Sequence, residues 1–576
     1  MTKRIDRWRV LLFMGAAMAL LLLVGYRVFV IAYVRHSWYS TAARSHADGS
    51  RNILARGAIY FESRGGALDV AATNKRFPII TVNASQVPVS AYGDVTGLLT
   101  SLAGVASGDV SVLLSDARDL ELPVGRYLDD AAERAVEASD APGIGITYET
   151  DRFYPGEALA ADVIGFFGYD PDGRHGQYGV EAYYEKELAG HDRPSHLDAS
   201  PRGLWHGLMA VLGFADEGGS EGDVPLPADV VLTVDRTVQA YAQDALADVL
   251  ERYDASAGSV IVQEVTTGRI VAMADSPSFD PNRYGSSEPA AFLNAPTQRS
   301  FEPGSSFKPF TMAIGLDTGA VSPTSTYTDT GSIQVAGHTI RNFTDVPFGT
   351  VTMTRILEKS INTGVMHVER LVGDERFLEY VIDMGFGQKT GVDLPGEASG
   401  NIENLYSGRA INFLTASFGQ GITVTPLQLA AGYSAIANDG KLMKPYIVDR
   451  VVRDGAVLYD AVPEVAGIPF SQKTAGQVRD MLVSVVDNGF DKARIPRYDV
   501  AGKTGTAQIA GPSGGYLEDE YIHSFAGFIP ASAPQFTIII VMERPRGVTF
   551  AADSLSSVFR DLATFLIHYY GIPPTR

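Results

Sequence analysis

A serine followed three residues later by a lysine opens an apolar segment near the middle of the chain. The segment reads Pro303-Gly-Ser-Ser-Phe-Lys308, and the spacing predicts a helix with Ser305 at its N-terminus and Lys308 one turn later on the same face. A serine hydroxyl is a poor nucleophile until a base takes its proton, and a lysine held among apolar groups can have its pKa lowered enough to act as that base. The N–H groups at the start of the helix would also stabilise an oxyanion. This pair therefore predicts nucleophilic acyl chemistry, and Ser305 is the only serine with lysine at that spacing.

A second candidate is Ser360-Ile-Asn362, which we expect between short helices at 353–359 and 364–372. A short loop between two helices can line one side of a cleft, where its serine could relay a proton. Its asparagine could hold both a lysine and a substrate amide. The same pattern occurs at Ser50-Arg-Asn52 and Ser399-Gly-Asn401, so only order and spacing along the chain favour Ser360 and Asn362.

The third candidate is Lys503-Thr-Gly-Thr506, which follows a predicted strand at 498–501. On a strand, Lys503, Thr504 and Thr506 could bind a substrate carboxylate, while Gly505 would let a peptide backbone approach closely. A phosphate-binding loop is excluded, because the glycine that it requires five residues before Gly502 is Arg497.

Lys-Thr-Gly also occurs at Lys389-Thr-Gly391. That copy lies in the segment 385–396, whose glycines and proline predict a loop. A rigid strand positions carboxylate-binding side chains more precisely than a loop does, so the sequence favours the copy at Lys503.

The elements around these motifs predict an α+β fold. Strands from both ends of the C-terminal half, with helices between them, indicate an antiparallel sheet covered by helices, accompanied by a helical subdomain. The predicted strands are 229–233, 259–264, 269–274, 524–529 and 536–542, and the predicted helices include 237–253 and 554–570.

The chain of 576 residues is too long for one hydrophobic core, so we expect several domains. An irregular α+β region has a predicted strand near 77–82 and a predicted helix near 127–137. It is followed by an acidic, glycine-rich segment at 216–223 that predicts a flexible linker. The predicted domains are a tail at 1–9, an anchor at 10–34, a pedestal at 35–215, the linker at 216–226, the catalytic domain at 227–571 and a tail at 572–576.

The anchor prediction depends on an uncharged apolar run at 10–26 that resumes at 28–34. The basic residues before it, among them Lys3 and Arg4, would keep the N-terminus in the cytoplasm and place the rest of the chain outside the cell membrane. A cleaved signal peptide is the alternative, but the apolar run continues past the small residues of Ala16-Ala-Met-Ala19.

Composition excludes several other functions. A formal charge of -20 disfavours nucleic acid as a partner, and the absence of cysteine excludes disulfides and thiolate chemistry. The histidines are scattered, and we expect His191, His196 and His206, the nearest to a cluster, to have surface or core roles rather than to bind metal. The apolar segment Gly203–Phe214 could lie at a membrane interface, but its lack of a basic face favours a buried helix.

The three motifs, in this order, resemble those of the penicillin-binding protein and serine β-lactamase superfamily. Further segments resemble class B penicillin-binding transpeptidases over nearly the whole chain. One departure is the segment 60–65, which replaces the usual Asp-Arg-Asn-Gly turn of that family. The segments that carry the resemblance are Arg56-Gly-Ala-Ile59, Arg152-Phe-Tyr-Pro155, Gly179-Val-Glu181, Leu232-Thr-Val-Asp235, Ser276-Pro-Ser-Phe-Asp-Pro-Asn282, Phe418-Gly-Gln-Gly-Ile422, Thr425-Pro-Leu-Gln428 and Ala435-Ile-Ala-Asn438.

The resemblance implies that Ser305 is deprotonated by Lys308 and attacks the penultimate D-Ala of a peptidoglycan stem peptide. It implies proton relay by Ser360, positioning of Lys308 by Asn362, and an oxyanion hole formed by the backbone N–H groups of Ser305 and Thr506. Thr504 and Thr506 would hold the terminal carboxylate, and the amine of a second stem peptide would resolve the acyl-enzyme.

The implied partners are donor and acceptor stem peptides, β-lactams and a membrane-embedded glycan polymerase, with no cofactor. A role in cell division is favoured over one in elongation. A β-lactam sensor, a β-lactamase and a catalytically silent scaffold for wall synthesis remain alternatives.

Overall fold

The computed structural model of the chain describes residues 56–115, 121–170, 173–189, 226–335, 337–344, 346–511 and 515–576. The predicted anchor at 10–34, residues 216–225 of the predicted linker and the segment Gly203–Phe214 lie outside them. The chain divides into two compact units, of which one contains Asn74–Arg152 and the other contains Ala55–Thr73 and Phe153–Arg576.

The strands of the described residues are listed here in chain order: β1 (Ile59–Glu62), β2 (Leu68–Asn83), β3 (Glu121–Val124), β4 (Ile144–Phe153), β5 (Phe166–Asp170), β6 (Gly173–Gln177), β7 (Asp229–Leu232), β8 (Ala257–Glu264), β9 (Ile270–Ser276), β10 (Thr326–Asp329), β11 (Ser332–Val335), β12 (His338–Arg341), β13 (Gly349–Thr352), β14 (Leu442–Met443), β15 (Val448–Arg453), β16 (Ala456–Asp460), β17 (Val465–Gly467), β18 (Ala501–Ala510), β19 (Tyr516–Ile529) and β20 (Phe536–Glu543).

The α-helices of the described residues are α1 (Tyr92–Leu102), α2 (Ser107–Leu114), α3 (Asp130–Ser139), α4 (Ala161–Ile164), α5 (Gly179–Tyr183), α6 (Glu185–Ala189), α7 (Arg236–Arg252), α8 (Ala295–Gln298), α9 (Lys308–Asp317), α10 (Met353–Glu358), α11 (Asn362–Val372), α12 (Asp374–Asp383), α13 (Ala410–Ala416), α14 (Pro426–Ala437), α15 (Gln472–Asn488), α16 (Ala551–Ser554) and α17 (Ser556–Tyr570). None of these described helices has both the length and the apolar character needed to cross a bilayer.

The smaller unit is built on the second half of β2, which pairs with β3 and β4. Its helices α1 and α2 bury apolar residues such as Val95, Leu99 and Val110 against Ile80 and Val82 of β2. The alternation of Ile80 and Val82 along the strand turns both side chains to the helix-covered face. This unit therefore has its own small core.

The main sheet of the larger unit is antiparallel, with the strand order β18-β19-β20-β8-β9. Both of its faces are covered, because successive side chains of β8 and β20 enter different cores. Val260 and Ile538 belong to a core formed with α7 and α17. Ile261 and Ile539 belong to another core, formed with α9 and α14. Burial of each such side chain contributes roughly 1.5–3 kcal/mol.

A second sheet of the larger unit has the order β16-β15-β7-β1-β2, using the first half of β2. The segment 60–65, in which the sequence departs from the family pattern, covers most of β1 and the start of the turn to β2. Arg64 in this turn donates its backbone N–H to Asp235 Oδ2 at 2.9 Å, and its guanidinium donates to Tyr569 O. Asp235 also caps the N-terminus of α7, and Tyr569 lies at the end of α17. The turn after β1 therefore contacts the start of one helix and the end of another in the larger unit.

The structure confirms the mixed α+β class, the antiparallel sheet and most predicted elements within a few residues. One strand was predicted too early, since the strand expected at 498–501 begins only at Ala501. The reason is that Tyr498 and Asp499 bond instead to the C-terminal residues, through Tyr498 Oη to Ile572 O at 2.8 Å and Asp499 N to Thr575 Oγ1 at 2.9 Å.

Candidate active site

Ser305 lies in a short 3₁₀ helix, Gly304–Phe307, that runs directly into α9. Tyr433 of α14 stabilises this turn, because its hydroxyl donates a hydrogen bond to Ser306 O at 2.8 Å. Phe307 packs edge-on against Phe310, with 5.3 Å between the ring centroids. The sequence prediction of a serine at the start of an apolar helix is therefore correct, with one 3₁₀ turn preceding the α-helix.

Lys308 is completely buried at the start of α9. Its Nζ donates to Ser360 O at 2.5 Å and to Ser360 Oγ at 3.0 Å. Burial, with a further contribution from the charge of Lys503, holds the pKa of Lys308 well below its ordinary value. The lysine is thus favoured in its neutral form, which can accept a proton.

Ser360 is held in the left-handed backbone region, with φ of 54°. A residue other than glycine in this conformation costs on the order of 1–3 kcal/mol and persists only where its surroundings enforce it. Here the neighbouring backbone is fixed on both sides, by Ser360 N to Leu357 O at 3.2 Å and Ile361 N to Ile356 O at 2.9 Å. The bend turns both oxygen atoms of Ser360 toward Lys308.

Asn362 begins α11 and lines the same cleft, but its amide is engaged with β12. Its Nδ2 donates to Arg341 O at 3.0 Å, and among the described residues Lys308 bonds to Ser360 rather than to Asn362. The positioning role that the resemblance implies for Asn362 stays a prediction.

The sequence did not predict a buried polar cluster that is centred on Asp329 and includes Thr363, the residue after Asn362. Asp329 accepts hydrogen bonds from Thr363 Oγ1 at 2.5 Å, from Asn342 Nδ2 at 2.9 Å and from Phe348 N at 2.8 Å. Burial raises the pKa of Asp329, but these hydrogen bonds outweigh it and leave the pKa below its ordinary value. The ionised carboxylate therefore fixes the start of α11 to the β10–β13 region.

The third motif lies on β18, the edge strand of the main sheet. Lys503 is buried, its Nζ donates to Thr504 O at 3.0 Å, and burial lowers its pKa to about 7. Thr506 Oγ1 accepts a hydrogen bond from Ala551 N at 3.1 Å, which fixes the segment before α16 beside the strand.

Gly505 allows β18 to approach the turn that carries Ser305. A methyl group at this position would lie 2.3 Å from Ser524 Oγ, 2.7 Å from Pro303 O and 3.2 Å from Ser306 N. Two of these three atoms belong to the backbone of the serine turn or its flank, so they cannot move aside without displacing Ser305.

The segment 418–422 closes the other side of the same turn. Gly304 N donates to Gly419 O at 3.0 Å, and a Cβ on Gly419 would meet Gly304 O at 2.2 Å. Glu302 accepts from Gly421 N at 2.9 Å and from Tyr516 Oη at 3.0 Å. The turn is thus enclosed by β18, this segment and the first residues of β19.

These elements surround a cleft of about 650 Å³. Phe343 and Phe550 meet edge to face at 5.2 Å between their ring centroids, and both line the cleft, as sequence reasoning had not anticipated. Lys308 and Lys503 lie buried beneath its surface. The motif residues that line it are Ser305, Ser360, Asn362, Thr504 and Thr506.

The first Lys-Thr-Gly copy lies elsewhere. Thr390 donates its N–H and its hydroxyl to Glu397 Oε1 at 2.7 Å and 2.5 Å, which ties the segment into a loop as predicted. Lys389 lines a separate cavity of about 460 Å³ with residues of 382–390 and 466–469. In the part of the chain that the structure describes, we find no group of histidine and carboxylate side chains suited to a metal ion.

Comparison with known families matches both halves of the chain. Residues 258–563 match the penicillin binding protein transpeptidase domain, and residues 56–203 match the penicillin-binding protein dimerisation domain. Stage V sporulation protein D of Bacillus subtilis is 30% identical over 94% of this chain and 84% of its own length. The probable peptidoglycan D,D-transpeptidase PbpC of Pseudomonas aeruginosa is 33% identical over 76% of this chain and 75% of its own.

A solved structure agrees with these matches. Penicillin binding protein 3 of Mycobacterium tuberculosis, in complex with aztreonam, has a TM-score of 0.67 and 26% sequence identity, and the match covers 91% of this chain and 98% of that one. The chain therefore belongs to the penicillin-binding transpeptidase family, and to the class that carries a dimerisation domain before the transpeptidase domain.

The close packing at Gly505 gives a testable prediction. Gly505→Ala should lower the free energy of unfolding by about 1–3 kcal/mol through overpacking, and it should slow acylation by a fluorescent penicillin because the serine turn is displaced. Both quantities can be measured on purified protein, by urea denaturation and by the labelling rate.

Gly476→Ala is the matched control. Gly476 lies within α15 and a methyl group there would approach only Arg479, at 3.8 Å, so the change should raise stability by about 0.5–1 kcal/mol through helix propensity. Equal stability and labelling rates for Gly505→Ala and the parent would contradict the packing argument.

Proposed function

We propose that this chain is a peptidoglycan D,D-transpeptidase that cross-links stem peptides through an acyl-enzyme on Ser305. The observation that carries the proposal is the burial of Lys308 in contact with Ser360, beneath a cleft that also exposes Ser305 and the β18 edge. A buried lysine with a lowered pKa, one turn from a serine at the start of a helix, is one arrangement that can carry out acyl transfer without a metal.

In the first half of the reaction, Lys308 takes the proton of Ser305 and the serine oxygen attacks the carbonyl of the penultimate D-Ala. Collapse of the tetrahedral intermediate breaks the peptide bond, and the proton passes through Ser360 to the leaving amine, so that free D-Ala departs. The direct contact between Lys308 Nζ and Ser360 Oγ supports this relay.

In the second half, the amine of another stem peptide attacks the ester carbon of the acyl-enzyme. The amine loses a proton, Ser305 regains one, and a new peptide bond joins the two stems. The same Lys308 and Ser360 pair would serve this step in reverse order. We assign the positioning of the Ser360 segment in part to Asn362, through its bond to β12.

Binding of the substrate's terminal carboxylate is assigned to β18. Lys503 supplies charge from below, while Thr504 and Thr506 face the cleft. Gly505 brings β18 against the serine turn, which supports an oxyanion hole formed by the N–H groups of Ser305 and Thr506. A β-lactam carries a carboxylate and a strained carbonyl, and the aztreonam complex of the mycobacterial relative supports β-lactams as ligands.

Three alternatives are less well supported. A β-lactamase or a β-lactam sensor would not need the dimerisation domain that residues 56–203 match. A catalytically silent scaffold would not need to bury Lys308, since removing an amine from water costs free energy that its hydrogen bonds to Ser360 offset only in part.

The cellular setting is also a proposal. We infer that residues 10–34 anchor the chain in the cell membrane with residues 1–9 in the cytoplasm, from the apolar run and the basic residues before it. We further propose a membrane-embedded glycan polymerase as partner and a role in cell division. Among the relatives, one is named as a homologue of a peptidoglycan D,D-transpeptidase FtsI.

The function is tested by acylation at Ser305. The parent protein should bind a fluorescent penicillin covalently and should release D-Ala from a D-Ala-D-Ala peptide, whereas Ser305→Ala should do neither while keeping its thermal stability. Ser306→Ala is an unsuitable control, because Ser306 lies in the serine turn and its Oγ bonds to Pro303 O. Ser322→Ala serves better, because Ser322 is exposed and its hydroxyl bonds only to its near neighbours Thr324 and Ser325. Undiminished labelling of Ser305→Ala would refute the assignment.

The two Lys-Thr-Gly copies make a matched pair for the carboxylate site. Lys503→Ala should lose roughly 2–4 kcal/mol of transition-state stabilisation, which slows acylation by a factor of about 30 to 1000. Lys389→Ala should acylate like the parent, because Lys389 lines a different cavity. The second-order acylation rate of folded protein decides between the copies, and the reverse result would overturn the placement of the third motif.

The lowered lysine pKa values predict a bell-shaped pH dependence of the second-order acylation rate for a carboxylate-bearing β-lactam. The rate should rise with pH as Lys308 becomes neutral. It should fall through about pH 7, since the pKa of Lys503 lies at about 7 and its neutral form binds a carboxylate less well.

Lys503→Arg isolates the falling limb. Arginine stays protonated throughout this range, so in the folded variant the rate should no longer decline on the alkaline side. An alkaline limb that is the same in the parent and in Lys503→Arg would show that another group causes it.

A further inference from the structure

A histidine lies buried in the main sheet directly beside the strand β18. His523 of β19 is completely buried and is the register partner of Thr506 on β18. Residues that face each other across an antiparallel ladder turn their side chains to the same face of the sheet. His523 and Thr506 are therefore neighbours on one face, although the described lining of the cleft includes Thr506 and not His523.

Both ring nitrogens of His523 are engaged by the segment that contains α16. Nε2 lies 3.2 Å from Thr549 O, and Nδ1 lies 2.9 Å from Ser554 Oγ. Burial lowers the pKa of His523 to about 4, so the ring is uncharged near neutral pH and carries one N–H. Because a carbonyl oxygen can only accept, that N–H belongs to Nε2, and Nδ1 accepts from the Ser554 hydroxyl. The ring thus ties residues on both sides of Ala551 to β19.

The segment that His523 holds has little regular structure of its own. Residues 545–550 form neither helix nor strand, and Thr549 and Phe550 are exposed. The helix α16 has only four residues, too few to be stable in isolation. In the part of the chain that the structure describes, the hydrogen bonds from the main sheet to residues 549–554 are made by His523 and Thr506. The position of Ala551 therefore depends on His523.

Ala551 determines how the hydroxyl of Thr506 can bond. The N–H of Ala551 donates to Thr506 Oγ1 at 3.1 Å, which occupies one acceptor site of that oxygen. A hydroxyl has one proton and two lone pairs, and among the described residues no acceptor takes the proton of Thr506. Since Thr506 lines the cleft, its O–H remains available as a donor to a ligand there.

We propose that His523 is a positioning residue for the reaction. By holding Thr549 and Ser554 against β19, it places the Ala551 N–H on Thr506 Oγ1 and so orients the Thr506 hydroxyl as a donor to the substrate's terminal carboxylate. His523 touches neither the substrate nor the reacting atoms and acts only through this segment. The inference rests on the proposed function, which assigns that carboxylate to β18.

The test compares two thioester substrates that differ in one group. Each is an N-acyl-D-Ala thioester whose leaving thiol ends either in a carboxylate or in the corresponding primary amide. Acylation of Ser305 releases the thiol, which a chromogenic disulfide reagent detects without interference because the chain has no cysteine. Titration with fluorescent penicillin counts the active sites of each folded variant. The ratio of the two acylation rates, acid over amide, then measures carboxylate recognition.

His523→Leu fills a similar volume without either hydrogen bond. It should lower the acid-to-amide ratio about tenfold, as expected when a charge-assisted hydrogen bond is lost. His523→Gln keeps an N–H near the position of Nε2 and should restore most of the ratio. If His523→Leu does not fold, His523→Asn gives the same comparison, because its amide lies near the position of Nδ1 and does not reach Thr549 O. His568→Leu, at an exposed histidine near the end of α17, is the matched control and should keep the parental ratio.

A second arm shows whether His523 acts through Thr506. In a Thr506→Val background, which lacks the hydroxyl, His523→Leu should change the ratio by less than about twofold, because the group that it positions is absent. A histidine that only stabilised the fold would slow acylation by both thioesters alike and would leave their ratio at the parental value.

An unchanged ratio in His523→Leu, or an equal fall of the ratio in the Thr506→Val background, would overturn the inference while leaving the proposed function intact. Equal rates for the two thioesters in the parent would refute the assignment of the carboxylate to β18, and the inference with it. Failure of penicillin and of both thioesters to acylate the parent would instead refute the proposed function itself.

Discussion

The removal of the Lys308 ammonium from water is the constraint on which the rest of the site depends. A buried amine without partners destabilises a fold by several kcal/mol when charged, so the surrounding structure must supply acceptors or favour the neutral form. Ser360 supplies two acceptors only because its backbone adopts a left-handed conformation. That conformation is enforced in turn by the hydrogen bonds of Ser360 N and Ile361 N to α10, while the Asp329 cluster fixes the start of α11, the next helix. The left-handed backbone of Ser360 thus lowers the stability of the fold locally, and it holds Lys308 in place as a proton acceptor.

The second constraint is the close contact between a sheet edge and the serine turn. An edge strand normally exposes unpaired N–H and C=O groups, and here the turn at Gly304 packs against that edge, with the segment at Gly419 on the other side of the turn. The same strand carries Thr504 and Thr506, which line the cleft, and Gly505, where the fold tolerates no extra atom. Binding geometry and packing therefore depend on the same few contacts.

The sequence predicted the features that depend on local patterns. Ser305 at the start of a helix, Lys503 beside a strand and Lys389 in a loop all follow from spacing and from glycine and proline content, as does most of the sheet. The Asp329 cluster could not be predicted, because its partners lie 13 and 34 residues away in sequence and no periodicity links them. The later start of β18 was missed for a similar reason, since the C-terminal residues compete for Tyr498 and Asp499. The contact of Lys308 with Ser360 follows from the folded arrangement alone.

The order of strands in the main sheet has a consequence for how the protein is made. The hairpin β8–β9 leaves the ribosome long before β20, yet β20 lies between that hairpin and the strands β19 and β18. Contacts between segments so distant in sequence form late, since the entropy of loop closure must be overcome first. A growing chain will therefore contain Ser305 for some time without the strand that bears Lys503. Under the proposed function, which assigns the substrate's carboxylate to β18, the incomplete protein is inert toward its substrate until its last strands have emerged and joined the sheet.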